Sequence, residues 1–575
     1  MACPDKLVAK RHLLERKLPN LSSSQLSAVF AILLAYSSTR TLPKLQSKAD
    51  DVVPAPTMAE RFGHFGDQRN GTYLNPILPA DFQNTDVLRV GSHYYYISAT
   101  KAMSPGIAVL TSDDLIEWKI IGHVIPDITQ FSPRFRYDHM DGAQRGVWAG
   151  TLAHHAGLFY VYFTTPDEGI FVSTAVNPVG PWSPLTCLMK APGWDDPAPF
   201  WDDDGKAYLI TTNFALDPKN GKTYNIHLFQ MSSNGLSIKL ETDKIIYQSR
   251  GSEANKLYKF NGLYYHLFSE VTKEGRVPLI GRAKAIAGPY EIHQLNHVNA
   301  KADREPNQGS ILQTHTGKWV FITHHGLNEW EGRPASLLPV TWIDGWPVAG
   351  EIGQDGIGNM AWSDKDPIPV KSRNDINPTL FRTTDDFNAT ILSPKWEWYF
   401  QPKADAWSLT ERPGYLRLHA LRPLDHENLL KSPDILTQRP FRVSHNTAAV
   451  KMDIDHMVDG QKAGLCFLGR TYASMDVIRE DGRLSFAFNN NGQAIHGPGL
   501  PADKKTVWLE AEWGTAGEAQ FSFSTDGKQF TLIGKAFQIT SFGGFLGARV
   551  GIYTRNDLKD EGYVDVDSFH YDYRR

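Results

Sequence analysis

Three short stretches hold acids whose type and setting suit proton transfer. The first, LPADFQNTDVLRVGSHYYYIS (78–98), places Asp81, Asn84 and Asp86 just ahead of an aromatic run. The second, GWDDPAPFWDDDGKAYL (193–209), sets Asp195 and Asp196 between Trp194 and Pro197, before the apolar APFW segment. A carboxylate in such company is partly desolvated, and burying charge needs a structural or chemical reason. Asp202, Asp203 and Asp204 precede Gly205 and read as a solvated hairpin turn instead. In the third stretch, RGSEANKLYKFNG (250–262), Glu253 has little charge immediately around it and leads into a strand. That environment favours the protonated carboxyl a general acid requires.

Acids this far apart in sequence act together only if their elements converge. A turn glycine followed by an aromatic-rich strand recurs five times, at Gly91, Gly157, Gly205, Gly262 and Gly317, with gaps of 66, 48, 57 and 55 residues. Each copy reads as the second strand of a hairpin, the glycine supplying positive φ and the aromatic or β-branched residues the pleat. The segments 113–118, 177–182 and 286–291 resemble outer-strand turns. Spacings near fifty with all-β patterning predict a five-bladed propeller over 72–362. Inner strands of a propeller meet at its channel, and each of the three acidic stretches falls in a different blade. The polar segment 363–380 reads as a linker. Period-two strands with Asp-Gly turns at 481–482 and 526–527 then predict an antiparallel β-sandwich over 381–575. The fold class is all-β.

The bulk properties agree. A chain of 575 residues exceeds a single core, and 41% hydrophobic with 21% charged residues describes a globular protein. A net charge of −4 without a basic run gives no electrostatic footprint for nucleic acid or an anionic membrane. Cys3, Cys187 and Cys466 have no metal-ligand spacing, and the last two read as separate buried thiols rather than a bridge. Within residues 1–71, Leu26–Tyr36 has the length of a signal-peptide core, preceded by Lys6, Lys10, Arg11, Arg16 and Lys17. Secretion is expected, with a cytoplasmic product if translation starts at Met58. The sequons at Asn70 and Asn388 are compatible with an extracellular protein.

Five motifs in order, YLNPILPADF…DVLRVGSHYY, GVWAGTLAHHAGLFYVYFTTPDEGIFV, GWDDPAPFWDDDGKAYL, SEANKLYKFNGLYY and LLPVTWIDGWPV, resemble glycoside hydrolase family 43, the β-xylosidases and α-L-arabinofuranosidases. DDFNATILSPKWEWYF, AWSLTERPGYLRL and ILTQRPF resemble the concanavalin-like, jelly-roll sandwich appended to many of these β-xylosidases. The resemblance implies an inverting glycosidase releasing terminal xylose from β-1,4-xylo-oligosaccharides of plant cell walls. The alternatives are arabinofuranosidase as the main activity, or a catalytically impaired sugar-binding homologue. By motif match Glu253 would be the general acid and Asp196 the neighbour raising its proton affinity. Arg333 would contact substrate, and Trp148 would floor the sugar pocket. The sandwich would wall that pocket and favour short substrates. No cofactor is required; a structural calcium is compatible with the family, with no ligands assigned, and no metal-binding residues are named.

Two positions depart from the family pattern. The usual base falls on Asn84, whose amide cannot take a proton at neutral pH. Asp86, two residues on and expected on the same strand face, is the candidate replacement base, with Asn84 orienting water or sugar. The usual channel histidine is Asn307, and His324 and His325 are expected near the channel.

Overall fold

The computed structural model describes residues 64–217, 221–272, 275–297, 306–325, 329–368 and 383–574. The leader-like segment and Met58 lie outside them, as does most of the linker. Five four-stranded antiparallel blades follow one another, each a meander contiguous in sequence. Their first strands are Asp86–Val90, Gly150–His155, Trp194–Trp201, Glu253–Phe260 and Gly309–Gln313. Their second strands begin just after the five repeat glycines, which all have positive φ. At those turns an added Cβ would meet nothing within 4 Å, so backbone conformation, not space, is what favours glycine there. The expected outer-strand turns lie between the third and fourth strands of blades 1, 2 and 4.

The segment before blade 1 closes the ring without contributing a strand to a blade. Ile77 N–H donates to Ala335 O, and Asn75 holds Leu337 through its side chain on both the N–H and the C=O. Thr72–Leu74 pairs with Ser363–Lys365, fastening the start of the propeller to its end.

The sandwich stacks an eight-stranded sheet on a seven-stranded one, both antiparallel. Alternation is visible in His445–Asp453, whose even-numbered residues Asn446 to Met452 are buried and whose odd-numbered ones are partly exposed. Propeller and sandwich share one core. Met103–Ser104 of the propeller pairs with Trp398–Tyr399 as an edge strand of the sandwich's larger sheet. Around it Phe135, Tyr399, Phe400, Phe542 and Tyr553 are buried in one apolar cluster with blades 1 and 2. Burying each such ring contributes about 1.5–3 kcal/mol, so the two halves are fused rather than tethered. Under the ring cluster, Arg549 is wholly buried, donates to Asp81 at 3.2 Å and lies 3.7 Å from Glu397. Arg439 and His123 reach the other Glu397 oxygen at 2.6 and 3.3 Å.

Two smaller expectations change. Cys466 is buried and free, but Cys187 is exposed, on the outer strand of blade 2. Asp202 is not a solvated turn residue: Lys259 and Tyr264 of blade 4 bind its carboxylate at 2.6 and 2.5 Å, tying two blades together.

Candidate active site

Inner strands begin at one end of the channel, and the candidate residues gather there. Asn84 and Trp148 each precede their strand by two residues, as does Asn307. Asp195 and Asp196 are second and third in theirs, and Glu253 is first in its own. Local backbone irregularity aims the acids. Register breaks between Asp195 and Ala198, and again between Glu253 and Lys256, with positive φ at Asp196 and Ala254. Bulges of this kind turn a side chain off the regular pleat. Pro197, which has no N–H for the ladder, is the sequence signal for the first of them.

Asp196 and Glu253 meet across blades 3 and 4. Asp196 Oδ2 accepts from Ala254 N–H at 2.7 Å, and Oδ1 from Gln308 Nε2 at 2.6 Å. Burial, then the charge of Glu253, pushes Asp196 up to about 6. Arg276 pairs with Glu253, its Nε 2.6 Å from Oε1 and its Nη2 donating to Oε2 at 3.5 Å, while Asn307 Nδ2 donates to Oε1 at 3.3 Å. Asn307 is steadied by Ser269, whose hydroxyl donates to its carbonyl oxygen.

Blades 1 and 5 build the opposite wall. Arg333 Nη1 donates to Asn84 Oδ1 at 3.2 Å, and the Asn84 N–H donates to His324 Nδ1 at 3.1 Å. His324 is therefore neutral with its proton on Nε2; burial and the nearby arginines hold it well below the ordinary histidine value. His325 faces elsewhere, bonded to Ser336 and packed edge-on against Trp362. Trp148 carries Lys101 Nζ over its ring at 4.4 Å. From the sandwich, Phe545 lies 3.6 Å from the Arg333 guanidinium and 5.3 Å from that of Arg276, ring centre to Cζ. Gln144 Nε2 donates to Phe542 O at 2.6 Å, holding this sandwich loop against the rim beside Trp148.

Asp86 does not share Asn84's outlook. Asn84 has φ of 55° and lies outside the strand, so period-two alternation does not carry across to Asp86. The Asp86 carboxylate instead points into the channel, where Ser310 Oγ donates to Oδ1 and Leu152 N–H donates to Oδ2 at 2.6 Å. Lys256 Nζ stands 3.4 Å from the same Oδ2. Burial pushes Asp86 up, and Lys256, Ser310 and Leu152 pull it part of the way back. The carboxylate ties four inner strands together with both oxygens engaged. Asp81 is also taken up structurally, by Arg549 and by the N–H groups of Gly547 and Arg333.

Comparison with known proteins agrees with this geometry. The profile described as "Glycosyl hydrolases family 43" matches residues 73–347, and "Beta xylosidase C-terminal Concanavalin A-like domain" matches 384–572. A beta-xylosidase of Formosa agariphila is 34% identical over 558 residues, 89% of this chain and 92% of that protein. This chain belongs to glycosyl hydrolase family 43. Among other family 43 relatives, a non-reducing end alpha-L-arabinofuranosidase of Bacteroides ovatus is 27% identical, covering 87% of this chain and 94% of that one. The solved family 43 protein of Bacillus licheniformis superposes with a TM-score of 0.71 at 25% identity, over 87% of this chain and 99% of its own. A bifunctional protein of Bacteroides eggerthii gives 0.75 at 27% identity, this chain spanning 64% of it. The five-bladed propeller with its concanavalin-like sandwich is thus a family 43 glycosidase architecture.

Sequence reasoning brought Asp196, Glu253, Trp148, Arg333, Asn84 and Asn307 to this mouth. It missed Lys101, Arg276, Gln308 and Phe545, which lie in segments whose local pattern names no role. Among the described residues no group of three or more His, Cys, Asp or Glu is arranged to hold a metal ion. The channel around Asp86 does not fit a divalent cation, because the Lys256 ammonium already stands beside that carboxylate.

Proposed function

We propose that this family 43 glycosidase is an exo-acting, inverting β-xylosidase that releases terminal xylose from β-1,4-xylo-oligosaccharides. The observation that carries the reading is the paired Asp196 and Glu253 at a mouth walled by Phe545 of the sandwich. Glu253 donates the proton to the leaving glycosidic oxygen. Asp196, held rigidly by Ala254 and Gln308, fixes the start of the strand that carries Glu253. Arg276 must release Oε1 for that oxygen to carry the proton, so an incoming substrate has to draw the guanidinium away. Trp148 offers an apolar face to the sugar ring, and Arg333 offers donors to its hydroxyls.

A pocket bounded by the 542–546 loop accommodates a chain end better than the middle of a polymer, which supports exo action on short substrates. The arabinofuranosidase reading keeps the same machinery and differs in which sugar the pocket takes; the Bacteroides ovatus relative bears that name. The binding-protein reading rests on Asn84 alone. Hydrolysis of p-nitrophenyl β-D-xyloside and α-L-arabinofuranoside, alongside xylobiose, separates the three. Higher kcat/KM on the xyloside supports the proposal, the reverse preference replaces it with the second reading, and no turnover of any substrate favours the third. Secretion through Leu26–Tyr36 is part of the same proposal, checked by mass spectrometry of the mature N-terminus.

A further inference from the structure

We propose that Asp195 is the carboxylate that activates water in this enzyme, in place of the residue the family carries at Asn84. The inference rests on the glycosidase reading above. An inverting hydrolysis needs a second carboxylate besides the acid, and three groups at or below the mouth are ruled out by their engagements. Asn84 has no basic oxygen. Both Asp86 oxygens are committed to Ser310, Leu152 and Lys256, and both Asp196 oxygens to Gln308 and Ala254.

Asp195 is different. Its Oδ1 accepts from Thr164 Oγ1 at 2.9 Å and from the Asp196 N–H at 3.0 Å, which fixes the carboxylate plane. Its Oδ2 accepts no hydrogen bond among the described residues, yet it is not enclosed, the residue being 9% exposed. Thr164 belongs to blade 2 and Ala254 to blade 4, so Asp195 and Asp196 diverge toward different neighbours. Thr164 links Asp195 to the Trp148 segment, since its hydroxyl donates to Asp195 and its C=O accepts from the Trp148 N–H. Burial, then the charges of Asp196 and Glu253, push Asp195 well above the ordinary carboxylate range, and Lys101, seated over Trp148, together with Thr164 pulls it part of the way back.

In the step, water oxygen bonds to the anomeric carbon as the glycosidic C–O bond breaks. Asp195 Oδ2 takes one water proton, Glu253 gives its proton to the leaving oxygen, and solvent later returns the proton from Asp195 to Glu253. The sum is one water consumed per bond.

The test compares Asp195→Ala, Asp195→Asn, Asp86→Asn and Glu253→Ala on p-nitrophenyl β-D-xyloside and xylobiose, with and without sodium azide, after thermal melts confirm folding. Expected is a loss of roughly 10²–10⁴ in kcat for both Asp195 variants on both substrates. Azide should restore turnover to Asp195→Ala by forming α-xylosyl azide, since the small anion occupies the vacated water position and needs no base. Turnover within tenfold of wild type in Asp195→Asn overturns the assignment. So does a folded, inactive Asp195→Ala that yields no azide product, or azide rescue appearing in Asp86→Asn instead. Failure of the wild type on every substrate is a separate result, which removes the glycosidase reading itself.

Discussion

The guanidinium of Arg333 lies 3.6 Å from the ring centre of Phe545, so a propeller residue proposed to contact the sugar is packed by a side chain of the sandwich. On that proposal the appended domain helps form the pocket as well as sharing a core with the propeller. Removing the ring leaves Arg333 free to sample other rotamers and opens one wall. A cation–π contact of this kind is worth about 0.5–2 kcal/mol. Phe545→Ala should therefore lower kcat/KM for xylobiose by roughly 3- to 30-fold, mainly through KM, while the melting temperature stays near that of wild type. Steady-state kinetics on xylobiose and xylotriose check this; an unchanged KM on both would detach the sandwich from substrate binding.

Glu253→Gln keeps the shape of the side chain but removes the transferable proton. Loss should depend on the leaving group: roughly 10²–10⁴-fold on xylobiose and much less on a p-nitrophenyl glycoside, whose phenolate departs unaided. Equal losses on both substrates would mean that Glu253 acts on binding instead.

Arg549 neutralises Asp81 and faces Glu397 from a fully buried position. Arg549→Met leaves Asp81 without its guanidinium and Glu397 with only Arg439 and His123, and removing one partner of a buried ion pair costs about 3–5 kcal/mol. A fall in melting temperature of several degrees is expected, read by scanning calorimetry, together with loss of activity because Asp81 also holds the Arg333 backbone.

The pH dependence of stability follows from opposing groups. Burial pushes Glu397 up, but Arg439, His123 and Arg549 prevail and hold it down to about 2, against 4.5 ordinarily. Its contribution, on the order of 3 kcal/mol, is present above pH 4.5 and is lost as pH falls toward 2. Asp434, pushed by burial up to about 7, works the other way. Its burial destabilises the folded state at neutral pH, and protonation relieves that strain as pH falls through 7. Melting temperature should therefore peak on the mildly acidic side and drop below pH 4.5, with a shallower acid drop in Glu397→Gln. A peak at alkaline pH would contradict these assignments.

Much of this was legible in the chain. The turn glycines announced five blades because only the hairpin φ demanded them, and the acids of blades 3 and 4 stood out because nothing nearby solvated them. Asp86 was misread for a specific reason. Alternation holds only inside a strand, and the left-handed backbone at Asn84 breaks it two residues before the strand opens. Asp195 was visible as one of a pair, but its separate outlook depends on a bulge that Pro197 only hints at. Phe545 could not be found from local pattern, since its role arises where it meets Arg333, more than two hundred residues earlier in the sequence.

The central claim is single-displacement hydrolysis with Glu253 as acid and a separate carboxylate activating water. Proton NMR of the first sugar released from p-nitrophenyl β-D-xyloside, followed before mutarotation, tests it most directly. The account predicts α-xylose as the first anomer. β-Xylose appearing first would require a covalent intermediate, and with it a nucleophile that this arrangement of Asp195, Asp196 and Glu253 was not assigned.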